Sequence, residues 1–105
     1  MAVSERVKKL EELLAKQGSD PFLLYAMAME HKKAGDYPRA LEFLQRTLQA
    51  DAGYCYAYYQ QGQVHEAAGD VEAAKVAYRE GIVAAMKKGD EHARSEIQVA
   101  LDMLE

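Results

Sequence analysis

The sequence predicts an all-α protein made of antiparallel helical hairpins that repeat along the chain, with about six helices. Residues 21–54 align with residues 55–88 at an offset of 34. A fixed period of this length is typical of stacked repeat proteins. Between successive glycines apolar residues recur at helical spacing, and no stretch alternates as a strand does. Identical residues at this offset are Tyr25 and Tyr59, His31 and His65, Ala40 and Ala74, Ala50 and Ala84, and the triplets Ala34-Gly35-Asp36 and Ala68-Gly69-Asp70.

Helix 1 is predicted from about Ser4 to Gln17. Its apolar residues recur every three to four positions while charged residues fill the other face, which gives it one apolar side. Gly18 is expected to end this helix in a left-handed conformation. The following segment Ser19-Asp20-Pro21 provides an N-cap and then a proline at the first helical position, so helix 2 begins at about Pro21.

Helix 2 is predicted to continue to Ala34, where Gly35 ends it. Asp36 then caps helix 3, which is expected from about Tyr37 to Ala50, because aspartate accepts hydrogen bonds from the first backbone N–H groups of a helix. The residues Asp51-Ala52-Gly53 break helix 3. The triplet Ala-Gly-Asp therefore predicts an elbow between the two helices of a hairpin.

The second repeat predicts the same cycle. Helix 4 is expected from about Tyr54 to Ala68, helix 5 from Val71 to Lys88 and helix 6 from about Glu91 to Leu104. Gly69 and Gly89 are the breaks. Helix 6 carries an apolar stripe formed by Ala93, Ile97, Ala100, Leu101 and Leu104.

This helix, elbow and helix unit with a period of 34 residues resembles the tetratricopeptide repeat. The resemblance lies at the family's large fourth position, small eighth, alanine twentieth, large twenty-fourth and small twenty-seventh positions. Small residues at positions eight and twenty let the two helices approach closely. The first repeat has Leu24, Ala28, Ala40, Leu44 and Thr47 at these positions, and the second has Tyr58, Gly62, Ala74, Tyr78 and Gly81.

The sequence also departs from the family pattern. The usual tyrosine, leucine and proline at positions eleven, seven and thirty-two are replaced in both repeats. Helix 1 resembles the second helix of a preceding repeat, and helix 6 resembles the first helix of a following one. The replacing residues are His31 and His65, Met27 and Gln61, and Ala52 and Met86.

The resemblance implies one right-handed superhelical domain over residues 1–105. It consists of an N-terminal capping helix (1–20), two repeats (21–54 and 55–88) and a C-terminal capping helix (89–105). A single hairpin cannot bury its apolar face alone, so both caps are expected to be needed for folding.

The resemblance also implies a binding groove on the concave face, where an extended or helical peptide of a partner would lie. Aromatic residues and methionine left on a surface are enriched at binding sites. The alternative is that these rings belong to a packed core. The predicted partner-binding residues are Phe22, Tyr25, Met29, Lys32, Lys33, Tyr56, Tyr59, Gln60 and Gln63. The lysine, arginine and asparagine clamp with which some relatives hold a C-terminal carboxylate is absent.

Composition limits the function further. The chain has 105 residues, a net charge of −4 and a single cysteine, Cys55. The negative charge does not favour nucleic acid or an anionic membrane as a partner. The start of the chain, Met1 to Arg6, lacks the apolar run of a signal peptide, and no apolar stretch is long enough to span a bilayer. A cytoplasmic protein is expected.

No catalytic, metal or cofactor site is predicted. His31 and His65 lie one repeat apart, which favours packing histidines over zinc ligands. Cys55 has no histidine nearby in the sequence to activate it. The favoured function is therefore an adaptor that binds another protein. The alternative is a weak homodimer that assembles through the terminal helices, where Val99 and Met103 are expected to be partly exposed.

Overall fold

The computed structural model describes residues 4–105 as helices joined by short turns, and this part of the chain contains no strand. Residues 1–3, which are part of the stretch used to argue against a signal peptide, lie outside the described residues. The all-α class is confirmed, and the predicted boundaries agree with the structure to within two residues. The helices are α1 (Glu5–Lys16), α2 (Pro21–Lys33), α3 (Tyr37–Ala50), α4 (Cys55–Ala67), α5 (Val71–Lys88) and α6 (Glu91–Asp102).

Three helices end in the same type of elbow. The glycine after the helix is left-handed, with φ of 78° at Gly35, 86° at Gly69 and 75° at Gly89. The N–H of the aspartate that follows donates to a carbonyl five residues earlier, as from Asp36 to His31 at 2.9 Å. The carboxylate of the same aspartate then caps the next helix, as Asp90 does for Ala93 N at 3.0 Å. The predicted elbows are therefore confirmed.

The end of α1 differs from its prediction. Gly18 is not among the glycines with positive φ, so the expected left-handed stop is wrong. A tight turn replaces it, in which Asp20 N donates to Gln17 O at 3.1 Å. Asp20 also caps α2, where its carboxylate accepts from Phe22 N at 2.9 Å. Here the capping aspartate lies two residues after the glycine, whereas at the three elbows it follows the glycine directly.

The chain divides into two compact units, Met1–Asp51, of which residues 4–51 are described, and Ala52–Glu105. In the first unit α2 packs against α3, and α1 lies beside α2. The buried hydroxyl of Thr47 donates to Phe43 O at 2.8 Å. Arg6 pairs with Glu30 at 3.1 Å and joins α1 to α2. Side chains buried to zero exposure in this unit are Ala28, Ala40, Leu44 and Thr47.

In the second unit α5 packs against both α4 and α6. The ring of Tyr78 lies in the middle of this core and is fully buried. Helices α4 and α5 approach closely at Gly62, where an added Cβ would lie 2.5 Å from two Tyr78 ring carbons and closer still to a third. The core cluster consists of Cys55, Ala74, Tyr78, Ala85, Ala93, Ile97 and Leu101.

The two hairpins solve the same packing problem with different residues. At the equivalent positions the first has Ala28 and Leu44, and the second has Gly62 and Tyr78. Because the tyrosine ring is larger than leucine, the facing helix has room only for glycine. The position that the sequence marks as small is therefore smallest where its partner is largest.

No helix within residues 4–105 is both long enough and apolar enough to cross a membrane. The assignment of the chain to a single domain of two repeats and two caps stays a prediction.

Candidate partner-binding surface

The five predicted residues of the first unit all lie on α2. The stripe that includes Leu24, Met27 and Ala28 turns inward and is buried. Phe22 lies on a different face and is 67% exposed. Lys33 is also exposed, while Tyr25, Met29 and Lys32 are half-buried. The structure therefore leaves a phenylalanine on the surface at the start of α2 and a lysine at its end.

Partial burial affects the electrostatics of this face. Removal of the ammonium group from water lowers the pKa of Lys32 below its usual value. Phe22 and Lys33 occupy opposite ends of a helix of 13 residues, so the face is apolar at one end and basic at the other.

The four predicted residues of the second unit lie on α4 and are braced by its neighbours. Tyr56 Oη donates to Glu96 Oε1 on α6 at 2.8 Å. The rings of Tyr56 and Tyr59 meet edge to face with centroids 6.3 Å apart. Tyr59 in turn lies 6.1 Å from the buried ring of Tyr78. These tyrosines are half-buried and pack against the core cluster of the second unit. They are therefore partly core, and their role in binding a partner stays a prediction.

The two glutamines are also half-buried. Gln63 Nε2 donates to Tyr78 Oη at 2.7 Å, and Tyr78 Oη donates to Glu66 on the same helix as Gln63. These two hydrogen bonds give partners to the Tyr78 hydroxyl, which would otherwise be a buried polar group without one. Gln60 also has an interaction within the chain. Gln63 therefore supports α5 from the end of the surface.

An open hollow of about 320 Å³ lies between α4 and α6, beside Tyr59. The predicted partner-binding residues include none of its α6 residues, and Val99 is expected from the sequence only as an exposed residue for self-assembly. The spacing of these residues could have indicated the hollow. His92 and Glu96 are four residues apart and Val99 follows three residues later, so the three share one face of α6. The hollow is lined by Tyr59, His92, Ser95, Glu96 and Val99.

Glu96 is the electrostatic centre of this hollow. It accepts from Tyr56, and His92 Nε2 lies 2.6 Å from the same oxygen and forms an ion pair with it when protonated. The hydrogen bond to Glu96, with a smaller effect of burial, raises the pKa of Tyr56 to about 12. Burial, together with the bond to Glu66, raises the pKa of Tyr78 further. Both phenols therefore keep the protons that they donate to these carboxylates well into the alkaline range.

We expect Glu96→Gln to lower the pKa of Tyr56 from about 12 toward the ordinary tyrosine value of about 10. The raised pKa means that the folded state favours the neutral phenol. Its contribution to stability is fully present below about pH 10 and is lost as the pH rises through about 12. Absorbance at the phenolate band, with Tyr56→Phe to identify the signal, measures the titration. Glu91→Gln, on the same helix, is the control, and an unshifted Tyr56 titration in Glu96→Gln would contradict the assignment.

His31 and Cys55 are packing residues in this structure. The ring of His31 stacks on Phe43 at 5.4 Å, and its Nε2 is buried without a hydrogen-bond partner. Cys55 is buried beside Gly53. Among residues 4–105 no group of three histidine, cysteine or acidic side chains is placed to hold a metal ion.

Comparison with known proteins gives relatives that span most of the chain. No protein-family model matches. A TPR repeat-containing protein of Pseudomonas aeruginosa is 33% identical over 99 residues, which cover 94% of this chain and 94% of that relative.

Two solved structures are similar over comparable lengths. The tetratricopeptide repeat domain protein from Salinibacter ruber superposes with a TM-score of 0.73 and 33% identity, covering 81% of this chain and 94% of that one. A protein from Bordetella parapertussis superposes with a TM-score of 0.84 and 26% identity, covering 97% of this chain and 89% of the other. The likeness thus extends well beyond a single hairpin.

Proposed function

The chain belongs to the tetratricopeptide repeat family, and on this basis we propose that it is an adaptor that binds a peptide or helix of another protein. Folds of this type generally mediate interactions between proteins, and proteins that contain them are generally scaffolds without catalytic activity. We place this activity in the cytoplasm, where the single thiol of Cys55 would stay reduced.

The observation that carries the proposal is the exposure of Phe22. A phenylalanine that is 67% exposed on a well-packed helix gains little from folding. Tyr25 and Met29 follow it at three and seven residues, so they extend the apolar surface along the same side of α2. Large apolar side chains of this kind act as anchors when a partner covers them.

The partner chemistry follows from the charges at the other end of α2. Lys32 and Lys33 lie in its last turn. A partner with an apolar side chain for Phe22 and a carboxylate near Lys33 would match both ends. An apolar peptide without acidic residues would match only one end.

The surface of the second unit supports the proposal in a different way. The hydrogen bond from Tyr56 to Glu96 and the edge-to-face contact with Tyr59 hold two aromatic rings in fixed positions beside an open hollow. Rings that are ordered before binding lose little conformational entropy when a ligand covers them. Exposed Val99 adds apolar area on the α6 side.

We expect Phe22→Ala to weaken partner binding by about 1–3 kcal/mol. Its stability should change by less than about 0.5 kcal/mol, since the side chain is mostly exposed. The measurement combines thermal melts with quantitative pull-down from the source cell, followed by titration of the partner identified. Met103→Ala is the control, because Met103 is 80% exposed and lies outside the proposed surface.

Tyr25→Ala tests the α2 face of the first unit, and Tyr59→Ala tests the surface formed by α4 and α6 in the second unit. Tyr59 contacts Tyr56 and Tyr78, so its truncation should reduce the melting temperature as well as binding. A partner that binds wild type and Phe22→Ala equally would rule out the α2 face. A large loss of melting temperature in both Tyr25→Ala and Tyr59→Ala would make them core residues instead.

Self-assembly is the second candidate, favoured by one observation on α6. Val99 is 57% exposed and Met103 is 80% exposed on this terminal helix. Sedimentation at several concentrations would detect a dimer, and Met103→Glu should dissociate it if α6 is the contact. A concentration-independent monomer would exclude this alternative.

A further inference from the structure

A second, larger groove lies along the α4–α5 hairpin. Its volume is about 590 Å³, within the range of about 300–1,000 Å³ usual for ligand sites. All of its residues belong to the second unit, and none belongs to the proposed partner-binding surface. The groove is lined by Ala52, Gly53, Tyr58, Arg79, Glu80, Val83, Ala84, Lys87 and Lys88.

The floor of this groove is apolar and open to solvent. Val83 is 52% exposed although it lies in the middle of an 18-residue helix. Tyr58 and Ala84 beside it are half-buried. Burial of this surface by a partner would be favourable, because each square ångström of apolar area removed from water contributes about 25 cal/mol.

The rim of the groove is basic in a unit that is otherwise acidic. Residues 52–105 contain five basic and nine acidic side chains, a net charge of −4. Three of the five basic residues, Arg79, Lys87 and Lys88, line this groove, while only one of the nine acids, Glu80, does so. The cations of the unit are thus concentrated where its exposed apolar floor lies.

The contacts that these cations already make leave them able to bind carboxylates of a partner. Lys88 Nζ donates to Gly53 O at 3.2 Å across one end of the groove. Arg79 pairs with the exposed carboxylate of Glu105 at 3.0 Å. Solvent-exposed pairs of this kind contribute little to stability, so a partner carboxylate can exchange with Glu105 at small cost. The lysine at position 87 is exposed on the same rim.

We propose that this groove is a second docking site, and that its occupant is an amphipathic segment of a partner protein with apolar residues on one side and carboxylates on the other. The apolar side covers Tyr58 and Val83, and the carboxylates face Arg79, Lys87 and Lys88. Three cations beside one acid are too few for a nucleic acid, whose specific contacts usually neutralise several phosphates. The adaptor would then hold two segments of protein at once.

The test uses the full chain and a synthetic helical peptide of about five turns, with leucines on one face and glutamates on the other. Its counterpart carries lysines in place of the glutamates. Backbone amide shifts are followed by NMR during titration. We expect the acidic peptide to shift residues 79–88 and Tyr58, and the basic peptide to leave them unchanged.

Matched variants locate the site. Lys87→Glu with Lys88→Glu should weaken binding of the acidic peptide by about tenfold or more, while Lys8→Glu with Lys9→Glu on α1 should not. Val83→Ser should weaken it, whereas Val76→Ser should not, although both valines are 52% exposed on the same helix. Higher salt should weaken the complex, because the rim charges are solvent-exposed.

Four results would overturn the proposal. They are equal binding of both peptides, no binding of either, shifts at residues 22–33 or at Tyr56, Tyr59, Gln60 and Gln63 without shifts at residues 79–88, and loss of groove exposure through a concentration-dependent dimer. Phe22→Ala distinguishes this site from the function proposed above. The α2 face also suits an apolar and acidic partner, so the two sites are followed by their own residues. Phe22→Ala should leave the shifts of residues 79–88 unchanged even where it abolishes shifts at residues 22–33 and capture of the adaptor's partner.

Discussion

Replacing Gly62 with alanine is expected to lower the free energy of unfolding of the second unit by about 3 kcal/mol or more. The added methyl group would overlap the ring of Tyr78, whose atoms lie 2.5 Å or less from the Cβ position. The ring cannot withdraw because it is fully buried and its hydroxyl contacts Gln63 and Glu66. Chemical denaturation with circular dichroism measures the change.

The predicted change in stability is opposite in sign to the one that helix propensity predicts. Helix propensity alone predicts that glycine to alanine in a helix interior stabilises by about 1 kcal/mol. Gly18→Ala is the control, since a Cβ there meets only Leu14 O at 3.4 Å. A Gly62→Ala variant as stable as wild type would mean that α4 and α5 are not in close contact at this point.

Removing residues 89–105 should destabilise the second unit even more than Gly62→Ala. Without α6, the cluster around Cys55, Tyr78 and Ala85 loses Ile97 and Leu101 and meets water. We expect a product that aggregates or keeps helical content without a cooperative transition, measured by calorimetry and dye binding. Ile97→Ala is the graded version and should cost about 2–5 kcal/mol, because Ile97 is fully buried.

Val99→Ser serves as the control for α6, because Val99 is 57% exposed on the same helix. It should leave the melting temperature nearly unchanged. A truncated chain that stays soluble and unfolds cooperatively would show that α4 and α5 need no C-terminal cap.

Most of the fold was predictable because its signals are local. Each elbow needs a residue tolerant of positive φ followed by a side chain that caps the next helix, and Gly35-Asp36 and Gly69-Asp70 supply both within two positions. The buried small and large positions repeat at a fixed offset. Gly18 was predicted wrongly because a glycine after a helix permits a left-handed stop without requiring one, and the turn to Asp20 provided another way to end α1.

The candidate surfaces were less predictable because they depend on contacts distant in sequence. Tyr56 bonds to Glu96, 40 residues further along the chain. No periodicity reveals that contact, nor that Tyr59 would rest on Tyr78. Similarly, Tyr58 occupies a position that the family pattern marks for packing, but its half-buried ring forms part of an open groove with residues of α5. The exposure of Phe22, by contrast, followed from its place off the buried stripe of α2.

If the two hairpins arose by duplication of one, the complementary sizes of Gly62 and Tyr78 constrain the order in which these two residues were substituted. If the ancestor resembled the first repeat, with alanine and leucine at these positions, a tyrosine arriving first would meet a methyl group in the way. A glycine arriving first costs only about 1 kcal/mol of helix propensity and opens the space that the ring later fills. Once the ring is in place, reversion to alanine is blocked. The two substitutions are therefore accessible in one order and hard to reverse singly. The stabilities of the two single-substitution intermediates would show which order leaves a folded protein at each step.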